Sequence, residues 1–506
     1  MKNKHIEASN EKDTKSTTET KKRRKFKLIS PISASVVAVI LCGAILFNHI
    51  IYPKIGPDVE STTTNGNGST MDTTITGEND SADETTTASK DNTPPPDINP
   101  LNDYIVSAPS YPIMAKYTSD YNSDEYDAWR EGIYAQRSYY YGGKNLVDFF
   151  KNSAKAILGD ATTENAIYSP VNVYMTLAMI AETSSGNTRA QILDALDAKS
   201  IEELRIQAVK VWNACYRDDG RTMSRLSNSL WLNDKLQYNE RNLSSYYYAS
   251  VFRGNMKSDE YSKAFNEWMK RETGGLLDDM IGDSKFSKDT VMALVSTLYF
   301  STSWDNKFDE SLTKKGVFHS PGGDVECDFM NVQQAGWPYY YGEIFTSTLR
   351  TLGNDGQMYF ILPDEGISVQ ELLNDDEALS FMANPGFGVN SSRTKVNLSL
   401  PKFDISMEKD IISDLKEMGI TDCFNRDKAD FSEIFPKNSP FINQVQLGAR
   451  LAVDEEGCVG ASYVQVLWGG GWPPPEVVDF TLDRPFIVVV TSPDNLPLFI
   501  GIVNQP

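Results

Sequence analysis

Apolar residues are spread so unevenly along this 506-residue chain that only its last stretch, from Asn145 onward, can build a core. Before about Pro100 they are confined to one run over 28–52. The roughly 360 residues after it are enough for one large domain or two smaller ones.

Lys21, Lys22, Arg23, Arg24, Lys25 and Lys27 directly precede the apolar run. Its length matches one bilayer crossing, and the basic flank places the N-terminus in the cytoplasm. A cleaved signal peptide is the competing reading. Asn48-His49-Ile50-Ile51-Tyr52 offers no small-x-small site, and Leu41 is too bulky to precede a lipoprotein Cys42. The layout expected is therefore a basic cytoplasmic tail over 1–27 and a transmembrane helix over 28–52. A Thr/Ser/Asp-rich stalk over 53–100 cannot offset its ordering entropy, and Pro94-Pro95-Pro96 stiffens it locally. A tyrosine-rich extension (101–143) leads into the large domain (144–506). The chain is expected to cross the cell membrane once, with that domain outside.

Several function classes are disfavoured. Formal net charge is −21 although the first residues are basic, so the exported part is acidic and unsuited to replacing phosphate counterions. Cys42, Cys215, Cys327, Cys423 and Cys458 are far apart, with no CxxC or metal-like spacing. His319, following Phe318 in a strand-like stretch, is the only histidine in the large domain. It rules out a multi-histidine metal site there, and any Ser-His-Asp triad would have to use it. GxSxG, HExxH and phosphate-loop motifs are lacking. Gly469-Gly470-Gly471 leads into Trp472 and three prolines rather than a helix. Neither a cofactor nor catalysis is expected.

Within the large domain, Leu146, Phe149, Phe150, Ala154 and Ile157 recur at helical spacing. Ser169-Pro170 starts a helix whose residues are apolar nearly all round, so it should be central. Strand-like runs follow at 226–232, 291–300, 357–362, 396–400 and 487–491. No repeat of 20 to 50 residues occurs. The pattern is α+β, helices early and sheets late.

A family becomes visible in the order of the motifs. Asn165-Ala166-Ile167-Tyr168-Ser169-Pro170-Val171 is followed by Leu177-Ala178-Met179 and Gly186-x-Thr188. Asn266-x-Trp268, Thr273-Gly274, and Leu298-Tyr299-Phe300 with Trp304 and Phe308 come next. Then come Leu400-Pro401-Lys402-Phe403, Met418-Gly419-Ile420, Phe424 and Ala429-Asp430-Phe431. Asp454-Glu455-Glu456-Gly457, Asp483-Arg484-Pro485-Phe486 and Leu498-Phe499-Ile500-Gly501 complete the series. The chain resembles a serpin, in a membrane-anchored, bacterial-type layout. The resemblance implies early helices, three β-sheets and a mobile reactive-centre loop.

It also implies suicide inhibition. A protease cuts the loop, and the freed end inserts into the central sheet and traps the acyl-enzyme. The hinge and inserting strand would be Glu455, Glu456, Gly457, Cys458, Val459, Gly460, Ala461, Ser462, Tyr463 and Val464. No proline occurs from Gly457 to Trp472, and Cys458, Gly460, Ser462, Val464 and Val466 are small or β-branched, as an inserting strand requires. The cut is expected at Gly471-Trp472, with Leu467 or Trp468 as alternatives. Ser169, Asn172, Ser296, Trp304 and Leu447 match the region where the sheet parts. Asn172 and Ser296 are expected to share one hydrogen bond. Cys458, Val459 and Gly460 replace the usual Thr and alanines. No Lys or Arg lies between Gly457 and Leu482, so a trypsin-like target is disfavoured. Elastase-, chymotrypsin- or subtilisin-like serine proteases, or papain-like cysteine proteases, fit better. The alternative is a non-inhibitory serpin serving as a surface binding protein.

Overall fold

The computed structural model describes residues 36–44, 100–120, 122–137, 144–235, 243–278, 284–287, 289–353, 355–437, 440–458 and 477–506. The helices are α1 (Asp124–Arg137), α2 (Lys144–Leu158), α3 (Pro170–Thr183), α4 (Gly186–Ala195), α5 (Ile201–Cys215), α6 (Leu243–Tyr246) and α7 (Asp259–Glu272). Shorter helices follow, α8 (Val369–Leu372), α9 (Asp376–Ala383) and α10 (Ile412–Glu417).

Helix α3 is the centre of the molecule, as its composition requires. Ser169 caps it by accepting the Asn172 N–H, Pro170 stands at its start, and every residue in it is buried. Around it lie two sheets. The first contains β1 (Val36–Ala44), β2 (Ile105–Ser107), β4 (Arg217–Asp218), β5 (Thr222–Asn233), β6 (Ala249–Gly254) and β7 (Met292–Ser303). It also holds β13 (Phe403–Asp410), β14 (Ile442–Val453) and β15 (Gly457–Cys458). Its order is β13-β14-β1-β7-β5-β6-β2, with β4 on β5 and β15 on β7.

The second sheet runs β16 (Val477–Thr481), β12 (Asn390–Pro401), β9 (Gly323–Tyr341), β10 (Phe345–Thr351), β11 (Gln357–Pro363), β17 (Phe486–Thr491), β18 (Pro497–Val503) and β3 (Ala166–Tyr168). Strand β8 (Lys314–Ser320) pairs with β9. Two of the three expected sheets are thus continuous, because the long β9 belongs to both. Its register with β12 shifts between Thr394 and Lys395, opposite Gly336, and the strand bends there without breaking. Strands β17 and β18 are buried along their whole length, which is why they read as unbroken apolar runs.

The middle of the N-terminal apolar run differs from the helix expected over 28–52. Val36–Ala44 is a strand, parallel to β14 on one side and to β7 on the other. Val36, Val37, Val39 and Ile40 are β-branched and suit a pleated ladder. Two parallel strands one strand-width apart leave a row of N–H and C=O groups for a third to fill. Among the described residues, no helix is long and apolar enough to cross a membrane. The rest of the 28–52 run, the 1–27 tail and 53–99 of the stalk lie outside the described residues.

Candidate functional site: the hinge and the strand slot

The sequence-marked residues converge on the gap between β7 and β14. Ser296 of β7 and Leu447 of β14 stand level with each other, both paired to Ile40 of β1. Asn172 reaches the same point from α3, its amide donating to the Ser296 backbone carbonyl at 3.3 Å. The hydrogen bond expected between Asn172 and Ser296 therefore exists, but it uses the main chain. The Ser296 hydroxyl is buried with no partner among the described residues. Leu447 is fully buried.

At the head of the gap the hinge has begun a strand of its own. Gly457 pairs with Ser303 and Cys458 with Thr302, antiparallel to β7. Only glycine fits at the first position. Gly457 has φ +142°, and a Cβ there would fall 2.6 Å from Ser303 Cα and from the Trp304 nitrogen.

The three acidic residues before it are clasped by the end of β7 and the turn after it. Trp304 donates its backbone N–H to the Glu456 carbonyl (3.2 Å), and Phe308 donates to that of Glu455 (3.1 Å). The Trp304 indole Nε1–H donates to the Asp454 carbonyl at 2.8 Å. Asp454 Oδ1 accepts the Glu456 N–H (2.9 Å) and the Gly457 N–H (3.3 Å), closing the turn. Glu455 is buried, and its Oε1 takes both the Thr313 hydroxyl and Lys402 Nζ at 2.7 Å. Lys307 Nζ meets Glu456 Oε2 at 2.5 Å.

Neighbouring carboxyls respond in opposite directions. Burial pushes Asp454 above the ordinary range, and the Glu456 and Gly457 N–H groups offset only part of this. Burial also works against Glu455, but Lys402 and Thr313 outweigh it and hold its carboxyl below the usual value. Beneath the clasp lies Arg350 of β10, almost wholly buried. Its guanidinium sits over the rings of Phe308 (4.4 Å), Trp304 (5.5 Å) and Trp337 (5.7 Å), and donates to the Asn306 carbonyl. Burial lowers its pKa to about 9, against the pull of Asp305.

Sequence reasoning singled out the acidic segment, Trp304, Asn172, Ser296 and Leu447, and the structure brings these residues together along β7 and β14. Sequence reasoning missed the partners Lys307, Thr313 and Arg350. Lys402 was visible only as part of the Leu400-Pro401-Lys402-Phe403 motif. Val459, Gly460, Ala461, Ser462, Tyr463, Val464, Leu467, Trp468, Gly471 and Trp472 lie outside the described residues. The described residues resume at Val477, where β16 runs parallel to β12. Elsewhere, His319 is exposed and its ring meets Asp324 (2.8 Å), whose hydrogen bond and charge raise the imidazole pKa. Cys215, Cys327 and Cys423 are free thiols.

A central sheet with a strand-wide slot, a loop seated at its head and a helix buried behind it define the serpin framework. The chain belongs to that family. The family model described as serpin (serine protease inhibitor) matches residues 144–506. Serpin-ZX of Arabidopsis thaliana is 28% identical over 70% of this chain and 96% of its own length. Plasminogen activator inhibitor 1 of Sus scrofa is 26% identical over 71% of this chain and 91% of its own. The crystal structure of the thermophilic serpin Tengpin in the native state superposes with a TM-score of 0.63 and 26% identity. It covers 78% of this chain and 98% of that one.

Proposed function

We propose that this serpin inhibits proteases by suicide cleavage of the loop over 459–476, followed by insertion of the freed end between β7 and β14. The observation that carries this reading is the seat of Gly457 and Cys458 on β7, the first two residues of the inserting strand already in antiparallel register. The driving force is adequate. About ten inserted residues form roughly ten to twenty ladder hydrogen bonds worth about 1 kcal/mol each. That rivals the whole stability of an ordinary domain, about 5–15 kcal/mol. The slot can hold an extra strand, since β1 lies in it with continuous pairing from Val37 to Ala44 on β7.

The target is an elastase-, chymotrypsin- or subtilisin-like serine protease, or a papain-like cysteine protease, cutting at Gly471-Trp472 or after Leu467 or Trp468. The inhibitor works outside the cell membrane, tethered by the run over 28–52 in a bacterial-type layout. The basic cluster before that run and its length support the tether. Residues 36–44 cannot span a bilayer and fill the slot at once, so lodging them in lipid leaves β7 and β14 free for the loop.

The test is incubation of the full chain in lipid nanodiscs with elastase, chymotrypsin, subtilisin and papain, then denaturing electrophoresis. A band at the summed mass, with a released C-terminal peptide that locates the cut, is the expected result. Loop cleavage by all four without such a band favours the non-inhibitory surface binding protein instead.

A further inference from the structure

We propose that β1 is a plug built into the chain, held either by the slot or by a lipid bilayer, so that this serpin inhibits only while it is anchored. The bilayer is then the partner that regulates the inhibitory site. This rests on loop insertion and on the tether, and adds the rule that connects them.

Along β7 the hinge and β1 stand in one file. Gly457 pairs with Ser303 and Cys458 with Thr302, antiparallel to β7. Continued in that register, Val459 would meet Ser301 and Gly460 would meet Phe300. Each further residue up to Leu467 would take one position more, down to Ala293. Those positions are the ones that β1 holds, from Ala44 on Phe300 to Val37 on Ala293. On the other wall β1 pairs with β14 from Ile442 to Ala449. Hinge and plug thus meet end to end, with only Ser301 of β7 between their partners. They run in opposite directions, so neither extends the other. A cut loop can add Val459 and then stops until β1 leaves.

Val36–Ala44 contains neither a charged residue nor a proline. Its backbone N–H and C=O groups need partners wherever water is excluded, and two places supply them. In the slot β7 and β14 provide a ladder on both sides. In a bilayer a helix satisfies them within the segment. The two homes are exclusive. A helical crossing takes about 20 residues. With 36–44 in the slot, the apolar run keeps only 28–35 and 45–52, eight residues on either side. Exchange between the homes stays within one molecule. Ala44 and Pro100 are separated by 55 residues, and a chain of that length reaches up to about 180 Å.

Trapping is a race between loop insertion and hydrolysis of the acyl-enzyme. In a plugged chain the β1 ladder must first break on both sides. Water meanwhile cleaves the acyl bond, returning the protease side chain its proton and leaving a carboxylate on the loop. The plugged chain is therefore a substrate. A bilayer that takes up the run over 28–52 empties the slot beforehand, and the cut loop enters at once. A ligand shifts such an equilibrium only by preferring one state, and lipid can hold the 36–44 segment only when the slot does not.

Two readouts on the full chain, in nanodiscs and free of lipid, test this. In a Cys42→Ala background, Val39→Cys/Gln446→Cys puts cysteines at paired positions of β1 and β14. After mild oxidation the disulfide is mapped by peptide mass. It is expected in the lipid-free chain, with a yield about tenfold lower or less in nanodiscs. Covalent-complex yield should move the other way, falling about tenfold or more without lipid while loop cleavage persists. Lipid-free Val39→Pro should recover it, because proline cannot donate to the ladder but is tolerated in a membrane helix. Equal cross-linking in both states, lipid-free wild type that traps as well as the nanodisc form, or no recovery in Val39→Pro overturns the proposal. If Val39→Pro does not fold, Leu41→Pro takes its place. Should wild type trap nothing in nanodiscs while the cross-link still responds to lipid, loop insertion fails by itself and the exchange of β1 between slot and bilayer stands.

Discussion

Gly457 and Lys402 decide, atom by atom, whether the hinge stays seated. A methyl group at position 457 would overlap the main chain of Ser303 and Trp304, neither of which can swing aside. Gly457→Ala should therefore unseat the hinge and destabilise the domain by about 1–3 kcal/mol, measurable by urea unfolding. Lys402→Ala removes the cation partner of buried Glu455 and leaves the Thr313 hydroxyl, at a cost of about 1–3 kcal/mol near pH 7. The sign of its pH dependence follows from the depressed carboxyl of Glu455. Stabilisation is complete above the unfolded value of about 4.3 and is lost as pH falls through the lower folded one. The gap between wild type and Lys402→Ala in urea unfolding should thus be full near pH 7 and narrow as pH falls below about 4.3. A gap that widens on acidification would mean that Lys402 does not hold Glu455 ionised.

Among elements, the slot and the strand that enters it matter most. A proline cannot donate to the ladder, so Gly460→Pro should arrest insertion after the cut, and a bulky charge at Val464 should do the same. Either variant is expected to be cleaved and released as a substrate, read as loss of the covalent band with cleavage retained. Complexes that persist in both would exclude strand insertion as the mechanism. Much at this scale was legible in the sequence. Helix α3 announced its burial by being apolar all round, and Gly457 stood out as the residue where the chain turns onto β7. The packing of 101–120 on the domain was not legible, because its contacts join residues as far apart as Ser107 and Ser244 and follow no period. Nor was Arg350, which strand alternation alone would have allowed to face solvent. The strand at 36–44 was hidden by hydropathy, since an apolar β-branched run serves a bilayer helix and a central strand equally well.

For the molecule as a whole, the first sheet has one strand's width between β7 and β14, which β1 fills and which the proposed insertion of the loop would reuse. The first sheet offers β7 and β14 as parallel walls, with α3 behind them and α7 on one flank. Two cations hold the acidic hinge, Lys307 on Glu456 and Lys402 on Glu455, while Arg350 supports the Phe308 and Trp304 rings beneath it. Order of motifs along the chain revealed this framework because each motif marks a site where backbone geometry leaves little choice, as at Gly457. The protease that meets the loop is written only in side chains between Val459 and Glu476, where the lack of Lys and Arg narrows the class. The most direct test of loop insertion is thermal unfolding of the full chain in nanodiscs before and after a single cut within 459–476. Insertion predicts a midpoint raised by tens of degrees, since about 1 kcal/mol corresponds to a few degrees in a domain of this size. An unchanged or lowered midpoint after clean cleavage would contradict it.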